Sequence, residues 1–474
     1  MQQLSSQDAS FLYSETPTAP MSGGALTIYD PSTAPGGKVT FTGLMAHIEQ
    51  RLHTAAAFRQ RLVTVPFNAD HPWWVEDKTF DLEFHVRHIA LPEPGDWRQL
   101  CIQCARLISR PLDRTKPLWE FYVIDGLDRV KAYPPGCFAI LSKLHHAAVD
   151  GASGTELTAA IHDLEPTPPP PAPPAQEWKG EAVPSAQTLL ARASWSNTIH
   201  PWRMIPTYAN AFAASRRMMA LGRERRGGAR RPGRAPRIRF NAPVSAHRVV
   251  DGIMLDLNDV RAIRAVSPGC TVNDVFLALV GGALRAYLQD KAELPSESLT
   301  AMCPISVRTE SDKSTGGNQV SAMVVALNTD IADAASRLRE VHAGTQAAKE
   351  LTNAVGARTM TDISQVVPAA IAALAGRMTA TMAIANERIS PPYNTVVTNV
   401  PGPQVPLYMD GARAVAMYGF GMVHDNMGLM NVVNSYCGKI AVSATACRDM
   451  MPDPAFYAQC LQNSFDQLKA ATAN

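Results

Sequence analysis

Two adjacent histidines, followed after three residues by an aspartate, are the side chains of this sequence best suited to acid–base chemistry. They belong to the heptapeptide HHAAVDG, which begins at His145 and ends at Gly151. A free histidine has a pKa of about 6.5, so a neutral imidazole can take the proton of a hydroxyl group while its oxygen attacks an acyl carbonyl. The motif therefore indicates a histidine base, and Asp150 is expected to fix the loop by pairing with an arginine or with backbone donors.

Such a base requires a rigid backbone at the edge of a cleft, and the neighbouring sequence predicts one. Residues 138–144 are largely apolar and predict a strand that ends at the histidine pair. Residues 155–164 predict a helix with one apolar face, and Gly151 lets the chain turn sharply before that helix. The sequence therefore predicts a strand, a turn that carries the base, and a helix in succession.

Two other interpretations of the histidine pair follow from the local sequence. Adjacent side chains of an extended segment point to opposite faces, so His145 and His146 are poorly arranged to share a metal ion, and no complementary ligands accompany them. We expect no metal site. A purely structural role for both histidines is the remaining alternative.

A second candidate group stands at the start of a helix predicted over 272–288. Thr271 and Asp274 have the spacing of a capping box, in which each side chain accepts from the backbone N–H of the other residue. This structural role accounts for Asp274. It does not account for Asn273, which stands in the first turn of the same helix.

Length and composition describe a globular protein of more than one domain. The chain has 474 residues, of which 46% are hydrophobic and 18% charged, and its net charge is +2. Domains usually contain about 100–200 residues, so two are expected, and the small net charge gives no indication of nucleic-acid binding. Eight cysteines do not make a disulfide framework in a chain of this length. Cys101 and Cys104 are interpreted as buried residues of a helix over 97–109, with the reduced thiols of a cytoplasmic protein.

The clearest break along the chain is the proline-rich run from Glu165 to Pro174. Proline has no N–H, and its ring clashes within a helix, so the run predicts an extended linker. A helix predicted over 185–221 follows, and ten arginines then occur from Arg216 to Arg239. The predicted divisions are an N-terminal domain at 1–164, a connector at 165–239 and a C-terminal domain at 240–474.

No secretory signal or membrane-spanning helix is expected from the sequence. The N-terminus lacks a basic segment followed by an apolar one, and no run of about 18 uncharged apolar residues occurs. The nearest candidate, 366–385, is interrupted by Pro368 and Arg377 and is interpreted as a buried or interfacial helix. Strands are predicted at 323–327, 395–400 and 440–445.

The heptapeptide at His145 is similar to the HHxxxDG motif of the CoA-dependent acyltransferase superfamily, which includes chloramphenicol acetyltransferases, carnitine acyltransferases and peptide-synthetase condensation domains. The rest of the chain resembles the bacterial wax ester synthase/diacylglycerol acyltransferase family over nearly its whole length outside the connector. The segments that carry the resemblance are DASFL at 8–12, Glu15, PM at 20–21, PLDR at 111–114, PLWE at 117–120, ND at 273–274, PISVR at 304–308, GNQ at 317–319, NVPGP at 399–403, SYCG at 435–438, Asp449 and PD at 452–453.

The resemblance implies an α/β fold of two related chloramphenicol-acetyltransferase-like domains, each a mixed sheet covered by helices, with a channel between them. It also implies that His146 is the base at the midpoint of that channel. Acyl-CoA then enters from one side and a lipid alcohol from the other, so neither a covalent acyl-enzyme nor a cofactor is required. Members often have a histidine after the Pro-Met pair. Here Ser22, Gly23 and Gly24 follow that pair, and the change is expected to alter the acceptor or the channel lining.

Other site residues take their roles from the same resemblance. Asn273 is implied to face the histidine across the domain cleft, where it orients substrate or stabilises an oxyanion. Glu15 and Trp119 are implied to be structural support, as a carboxylate that fixes the N-terminal segment and an aromatic side chain that packs. Arg308 is expected either to pair with Asp150 or to hold a neighbouring strand.

The expected function is transfer of an acyl group from long-chain acyl-CoA to diacylglycerol or to a fatty alcohol, giving triacylglycerol or wax ester. The alternatives are a polyketide- or peptide-associated acyltransferase of the same superfamily and a lipid-binding protein with a retired active site. Because the acceptors partition into lipid, we expect a cytoplasmic enzyme peripheral to the inner membrane or to lipid droplets. The Arg216–Arg239 segment is either a solvated connector or a contact with anionic lipid or CoA phosphates.

Overall fold

Two mixed β-sheets covered by helices make up the described part of the chain, an α/β architecture. In this computed structural model the described residues are 1–148, 153–169, 171–173, 178, 180–196, 198, 235–265, 267–306, 320–355 and 390–471. The helices are α1 (Ser6–Ser14), α2 (Phe41–Glu49), α3 (Leu82–His85), α4 (Trp97–Ile108), α5 (Ser153–Ile161), α6 (186–196), α7 (Leu257–Ala265), α8 (Val272–Asp290), α9 (Ala334–Val355) and α10 (Pro454–Ala470). The strands are β1 (Gln2–Gln3), β2 (Ser22–Asp30), β3 (Gln60–Val63), β4 (Trp73–Glu76), β5 (Val86–Ala90), β6 (Trp119–Asp125), β7 (Phe138–His145), β8 (Arg248–Asp256), β9 (Thr300–Ser306), β10 (Val320–Ala326), β11 (Thr395–Pro401), β12 (Tyr408–Met409), β13 (Ala412–Phe420), β14 (Leu429–Tyr436) and β15 (Lys439–Cys447).

The first sheet has the strand order β12-β13-β2-β7-β6-β5 within the described residues. Its neighbouring strands are antiparallel, except that β5 and β6 are parallel. Strand β7 lies between β2 and β6, and Ser22 at the start of β2 pairs with His145 at the end of β7. The histidine pair is therefore carried by backbone that is hydrogen-bonded on both sides.

The second sheet has the order β10-β9-β11-β14-β15-β8, again among the described residues. Strand β11 is parallel to both β9 and β14, and the other pairs are antiparallel. Helix α8 packs against α10 and α9, and it buries Phe276, Leu279 and Tyr287 in the core of this half. Each such burial stabilises the fold by about 1.5–3 kcal/mol. A small sheet of order β1-β4-β3 lies near the N-terminus of the chain.

The two large sheets exchange segments. Strands β12 and β13 come from the C-terminal half, yet β13 completes the first sheet by pairing with β2. Conversely, Ala19 and Met21 lie in the hydrophobic core of the second sheet. The domain bounds predicted from the sequence, 1–164 and 240–474, do not include this exchange of strands. Hydrophobic periodicity predicts a strand but does not show which sheet the strand joins.

Most of the predicted elements are present, some with shifted ends. The helix predicted over 272–288 extends to residue 290, and the helix predicted over 155–164 ends at Ile161. Cys101 and Cys104 are buried in α4, and all eight cysteines are free thiols. The strands predicted at 323–327, 395–400 and 440–445 correspond to β10, β11 and β15.

The connector between the two halves is only partly described. Residues 165–169 and 171–173 of the proline-rich run form neither helix nor strand, and α6 is the described part of the helix predicted over 185–221. The segment 366–385 and most of the arginine segment lie outside the described residues. Among the helices described, none has the length and apolar character needed to span a membrane.

Candidate active site

The histidine pair stands where β7 ends, and two neighbouring segments fix its backbone. The N–H of His145 donates to the carbonyl oxygen of Leu118 at 3.0 Å, and the N–H of His146 donates to that of Met21 at 2.9 Å. Leu118 directly precedes β6 and Met21 directly precedes β2, so both flanking strands hold the turn. Because the side chain of Met21 lies in the core of the second sheet, the turn is tied to both sheets.

His145 is a buried residue whose ring is engaged within the fold. It has no exposed surface, and its Nδ1 accepts a hydrogen bond from the backbone N–H of Ala147 at 3.0 Å. Nδ1 is thus the acceptor nitrogen of the ring, which leaves Nε2 as the donor nitrogen. That Nε2 lies 3.6 Å from Oε1 of Glu15. This environment suits a residue that shapes the turn.

Glu15 joins the N-terminal segment to the histidine turn. Its carboxylate accepts from the backbone N–H of Met21 at 3.0 Å and from Nε of Arg114 at 2.8 Å. Burial raises the pKa of Glu15, but His145 and Arg114 together outweigh burial and lower that pKa to about 2. The carboxylate is therefore ionised at neutral pH and holds three segments of the chain together.

His146 is half-buried, unlike its neighbour. Its ring packs against that of Phe11 in α1, with 5.0 Å between the centroids, and its Nε2 lies beside the backbone of Gly23 in β2. Burial lowers the pKa of His146 to about 4, and the neighbouring His145 acts in the same direction. Within the described part of the chain, neither ring nitrogen has a hydrogen-bond partner. The ring is therefore neutral at physiological pH and able to accept a proton.

Trp119 supports the strand next to the histidines. Its Nε1 donates to the carbonyl oxygen of Phe58 at 3.0 Å, and its indole stacks on His85 with 4.4 Å between ring centroids. Nδ1 of His85 in turn donates to the carbonyl oxygen of Trp119 at 2.7 Å. Burial lowers the pKa of His85, which keeps this packed ring uncharged. These contacts hold β6 beside the turn.

The start of α8 contains the capping box that the sequence predicts. The fully buried Asp274 accepts from the N–H of Thr271 at 2.8 Å and caps the helix. Its carboxylate also accepts from Nδ1 of His342 at 2.9 Å and from the hydroxyl of Thr345 at 2.6 Å, which joins α8 to α9. Asn273 is half-buried in the same turn, and its side chain has no hydrogen-bond partner among the described residues.

Cys270, Asp274 and His342 form one cluster of metal-ligand types in the described residues, with ligand atoms within 4.8 Å of one another. The Asp274 carboxylate already accepts hydrogen bonds from three protein donors. Hydrogen bonding between α8 and α9 accounts for this cluster without an ion, and the expectation of no metal stays a prediction.

Three predicted site residues, Asp150, Gly151 and Arg308, lie outside the described residues. The pairing of Asp150 and the two roles considered for Arg308 therefore stay predictions.

Two residues without a role in the sequence analysis, Phe11 and Arg114, contact the site. Phe11 and Arg114 belong to the DASFL and PLDR segments, so the resemblance marked their positions but not their contacts. Glu15 and Arg114 are 99 residues apart in the chain, and only folding brings them together.

A surface cavity of about 630 Å³ is formed by the small sheet and α6 rather than by the histidine turn. Trp73, Arg192 and Trp195 are among the residues that line it. Its lining contains no residue of the site described above, so it is a separate feature.

Comparisons with known proteins assign this arrangement to a family. The family model described as "Wax ester synthase/diacylglycerol acyltransferase catalytic domain" matches residues 4–276, and that described as "WS/DGAT C-terminal domain" matches residues 316–469. One Mycobacterium tuberculosis protein named as a diacylglycerol O-acyltransferase is 35% identical over 454 residues, which cover 96% of this chain and 87% of the relative. Another from that organism is 32% identical over 472 residues, 99% of each chain.

Solved structures agree with this assignment. The wax ester synthase/diacylglycerol acyltransferase from Marinobacter aquaeolei VT8 has a TM-score of 0.70 and 26% identity, with 100% of both chains covered. The starter condensation domain of rhizomide synthetase has a TM-score of 0.57 and 13% identity, covering 100% of this chain and 94% of that chain, which is a likeness of fold alone. The two sheets and the histidine turn thus define an acyltransferase of the class that shares its fold with condensation domains.

The family matches include both the histidine turn and the C-terminal half, and the similarity to the mycobacterial relatives extends over nearly the whole chain. This protein belongs to the wax ester synthase/diacylglycerol acyltransferase family. The α/β fold and the acyltransferase class that the sequence predicts are confirmed by these findings.

Proposed function

We propose that His146 is the general base that transfers the acyl group of acyl-CoA to a lipid alcohol. The observation that carries this proposal is the neutral, half-buried ring of His146 on a turn that Met21 holds in place. A pKa of about 4 makes His146 a weaker base than free histidine, but it keeps the ring in the proton-accepting form throughout the physiological range. General bases contribute about 10²–10⁴-fold to rate.

In the proposed reaction, the alcohol oxygen attacks the carbonyl carbon of the thioester while Nε2 of His146 takes the hydroxyl proton. The new C–O bond forms, the C–S bond to CoA breaks, and the imidazolium returns the proton to the CoA thiolate. Acyl-CoA and alcohol become ester and free CoA without a covalent acyl-enzyme. Because both substrates must reach His146 together, a channel between the two halves, open at both ends, is part of the proposal.

Long-chain acyl-CoA is the proposed donor, and diacylglycerol and long-chain alcohols are the proposed acceptors. The Marinobacter protein is named for both wax ester synthesis and diacylglycerol acylation, and the mycobacterial relatives are named for the latter. The products are then triacylglycerol and wax ester. An acyl donor attached to a carrier protein is less favoured, because the chain is 26% identical in sequence to the Marinobacter enzyme but only 13% identical to the condensation domain.

Asn273 is proposed to stabilise the oxyanion of the tetrahedral intermediate. Its amide is half-buried in the first turn of α8 and, among the described residues, makes no hydrogen bond that would compete with substrate. The N-terminus of a helix favours negative charge. A single oxyanion donor contributes about 3 kcal/mol in other enzymes.

Peripheral association with a membrane or lipid-droplet surface is also proposed, since both acceptors are insoluble in water. Arg239 is not available for such contact, because its guanidinium forms two hydrogen bonds of 2.7 Å with Glu293. Arg237 likewise donates to the carbonyl oxygen of Asn241 at 3.0 Å. The other eight arginines of the segment lie outside the described residues and are the proposed lipid contacts.

The experiment that tests the base is CoA release from palmitoyl-CoA, with dipalmitoylglycerol or hexadecanol as acceptor, by the His146→Ala variant. We expect kcat/KM to fall by about 10²–10⁴-fold while the melting temperature stays unchanged. The matched control is His247→Ala, which removes an exposed histidine and should leave kcat/KM unaffected.

Near wild-type kcat/KM in His146→Ala would contradict the proposed base. Wild-type protein that released CoA from neither mixture but accepted an acylated carrier protein would support the peptide-associated alternative. Lipid binding without any acyl transfer would instead support the lipid-binding alternative.

A further inference from the structure

Gly23 stands beside the proposed base, and the fold gives no reason for a glycine there. Its backbone is not in the positive-φ region that favours glycine. A Cβ on Gly23 would lie 3.4 Å from the carbonyl oxygen of Phe420 and 3.7 Å from Nε2 of His146, both ordinary contact distances. Because a glycine within a strand lowers stability, a glycine beside the proposed base points to a need for space.

Gly24, the next residue of β2, shows the contrast. A Cβ on Gly24 would lie only 3.0 Å from Cγ2 of Ile108, so the missing side chain allows α4 to pack closely on the sheet. Successive residues of a strand face opposite sides, so Gly24 faces α4 and Gly23 faces the ring of His146. The packing of α4 therefore explains the glycine at position 24 but not the glycine at position 23.

The missing side chain of Gly23 leaves space next to Nε2 of His146. Gly23 is half-buried, and Ala25, the next residue on the same face of β2, is exposed, so the face is open at this end of the strand. The ring of Phe11 packs against the same imidazole, and the carbonyl oxygen of Phe420 lies beside Gly23. Apart from the imidazole and one carbonyl oxygen, these neighbours are apolar, which suits the alkyl atoms next to a reacting hydroxyl group.

We propose that Gly23 determines which acceptor alcohols this enzyme esterifies, by leaving room for a branched carbon next to the reacting hydroxymethyl group. The inference rests on the proposed function, in which Nε2 of His146 takes the hydroxyl proton. The hydroxyl oxygen must approach Nε2 to about 3 Å, so the carbon atoms attached to it occupy the surrounding space. A methyl group on residue 23, at 3.7 Å from the same nitrogen, competes for that space.

The two proposed acceptors differ at this point of their structure. In a fatty alcohol the carbon next to the hydroxymethyl group is unbranched, whereas in 1,2-diacylglycerol it carries an ester. Filling the space beside Gly23 should therefore lower the rate of esterification of diacylglycerol more than that of the linear alcohol.

The test is competition between two acceptors in one reaction with palmitoyl-CoA. Hexadecanol is paired with its isomer 2-hexyldecanol, which is branched at the carbon next to the hydroxymethyl group, and in a second mixture with 1,2-dipalmitoylglycerol. The ratio of the two esters, resolved by chromatography, equals the ratio of kcat/KM values weighted by concentration and does not depend on the fraction of folded enzyme. For Gly23→Ala we expect the branched-to-linear ratio to fall about 10-fold or more, and further for Gly23→Val.

The matched control is Gly24→Ala, which adds the same methyl group one residue along, on the opposite face of β2. It is expected to lower the melting temperature through its contact with Ile108, but its ester ratio should equal that of the wild type. An unchanged ratio in both Gly23 variants would overturn the proposal. An equal loss of both esters would also overturn it, because Gly23 would then position His146 rather than select the acceptor.

Failure of the proposed function has a different signature. Wild-type enzyme that esterified the linear alcohol alone would overturn the selectivity role of Gly23 while leaving acyl transfer intact. A shifted ratio in Gly23→Ala together with full activity in His146→Ala would support the role of Gly23 and remove His146 as the base.

Discussion

Residues 145 and 146 are both histidines, yet the fold gives them opposite surroundings. His145 is buried, with Nδ1 engaged by the N–H of Ala147, whereas His146 is half-buried beside Phe11. Strand β7 ends at His145, and the chain turns at His146, so one ring lies towards Glu15 and the other beside Gly23 of β2. The difference between the two histidines therefore follows from the end of the strand between them.

The environment of His146 predicts that kcat/KM falls on the acid side of the pH profile only at unusually low pH. A general base must be neutral, so activity is lost as pH falls through its pKa. Because burial lowers the pKa of His146 to about 4, we expect kcat/KM to stay level from about pH 8 to about pH 5 and to fall below that. Initial rates of CoA release across this range would measure it, with folding checked by circular dichroism. An acid limb near the usual histidine value would contradict the buried environment.

Asn273→Ala is expected to lower kcat more than it raises KM. A donor that acts on the oxyanion contributes mainly in the transition state, so the loss should be about 10²–10³-fold in kcat. The matched control is Asn258→Ala, because Asn258 is likewise the second residue of a helix, α7, and is exposed. A rise in KM alone would assign Asn273 to ground-state substrate binding instead.

Among the elements of the fold, the N-terminal segment 11–21 connects the two sheets at the histidine turn. Its Glu15 faces the histidine turn, and Met21 lies in the core of the second sheet. The carbonyl oxygen of Thr18 accepts from Nη2 of Arg248 in β8 at 2.6 Å. Because the segment contacts both sheets, a shift of the C-terminal half would also move the histidine turn of the N-terminal half.

Glu15→Gln tests this connection, because it keeps an acceptor for the N–H of Met21 and removes the charge that faces Arg114. The side chain of Arg114 is 45% exposed, so we expect the free energy of unfolding to fall by only about 1–2 kcal/mol. The pKa of Glu15 is about 2 in the fold against its usual 4.5, so the stabilisation is present above pH 4.5 and is lost as pH falls towards 2.

The measurement for Glu15→Gln is urea unfolding of both proteins at neutral pH and at progressively lower pH. The difference between the two midpoints should be largest at neutral pH and should shrink on acidification. A difference that did not change with pH would show that the charge of Glu15 contributes nothing to stability.

For the whole molecule, the exchange of strands makes the two halves one unit. Strand β13 pairs with β2, and β2 pairs with β7, so the C-terminal half contributes directly to the sheet that carries His146. Helix α4 also bridges the halves, since Nε1 of Trp97 donates to Asp251 of β8 at 2.8 Å. The proposed active site therefore depends on both halves being folded together.

The arginine segment predicts salt-dependent binding of the whole enzyme to anionic vesicles. Exposed charges are screened over about 8 Å at physiological ionic strength, so binding should weaken as salt is raised. Flotation with phosphatidylglycerol-containing liposomes would measure it for the wild type and for a variant with four connector arginines changed to glutamine. These are Arg225, Arg226, Arg230 and Arg231.

The control for this experiment removes the same amount of charge from exposed arginines of helices and loops elsewhere. The control positions are Arg106, Arg129, Arg261 and Arg264. We expect the connector variant to float less than the control variant at low salt. Equal flotation of the two variants would exclude the connector as a specific lipid contact, and the apolar segment 366–385 would be the next candidate.

Local features of this protein were determined by the sequence alone. The strand that ends at the histidine pair, the capping box of Thr271 and Asp274, and the buried helix α8 all follow from residues within a few positions of one another. The family resemblance rests on short ordered segments, and it correctly predicted the α/β fold and the acyltransferase class. These properties could be predicted because periodicity, capping and motif spacing are encoded within each segment.

Only the tertiary structure decided which distant segments meet. The addition of β13 to the first sheet, the contact of Phe11 with His146 and the pairing of Glu15 with Arg114 join parts of the chain that have no local relationship. The lowered pKa of His146 belongs to the same class, because it arises from burial by residues of several elements. The open face at Gly23 is likewise visible only once His146 lies beside it. Desolvation and free space depend on all atoms around a point, and a linear sequence does not specify which atoms those are.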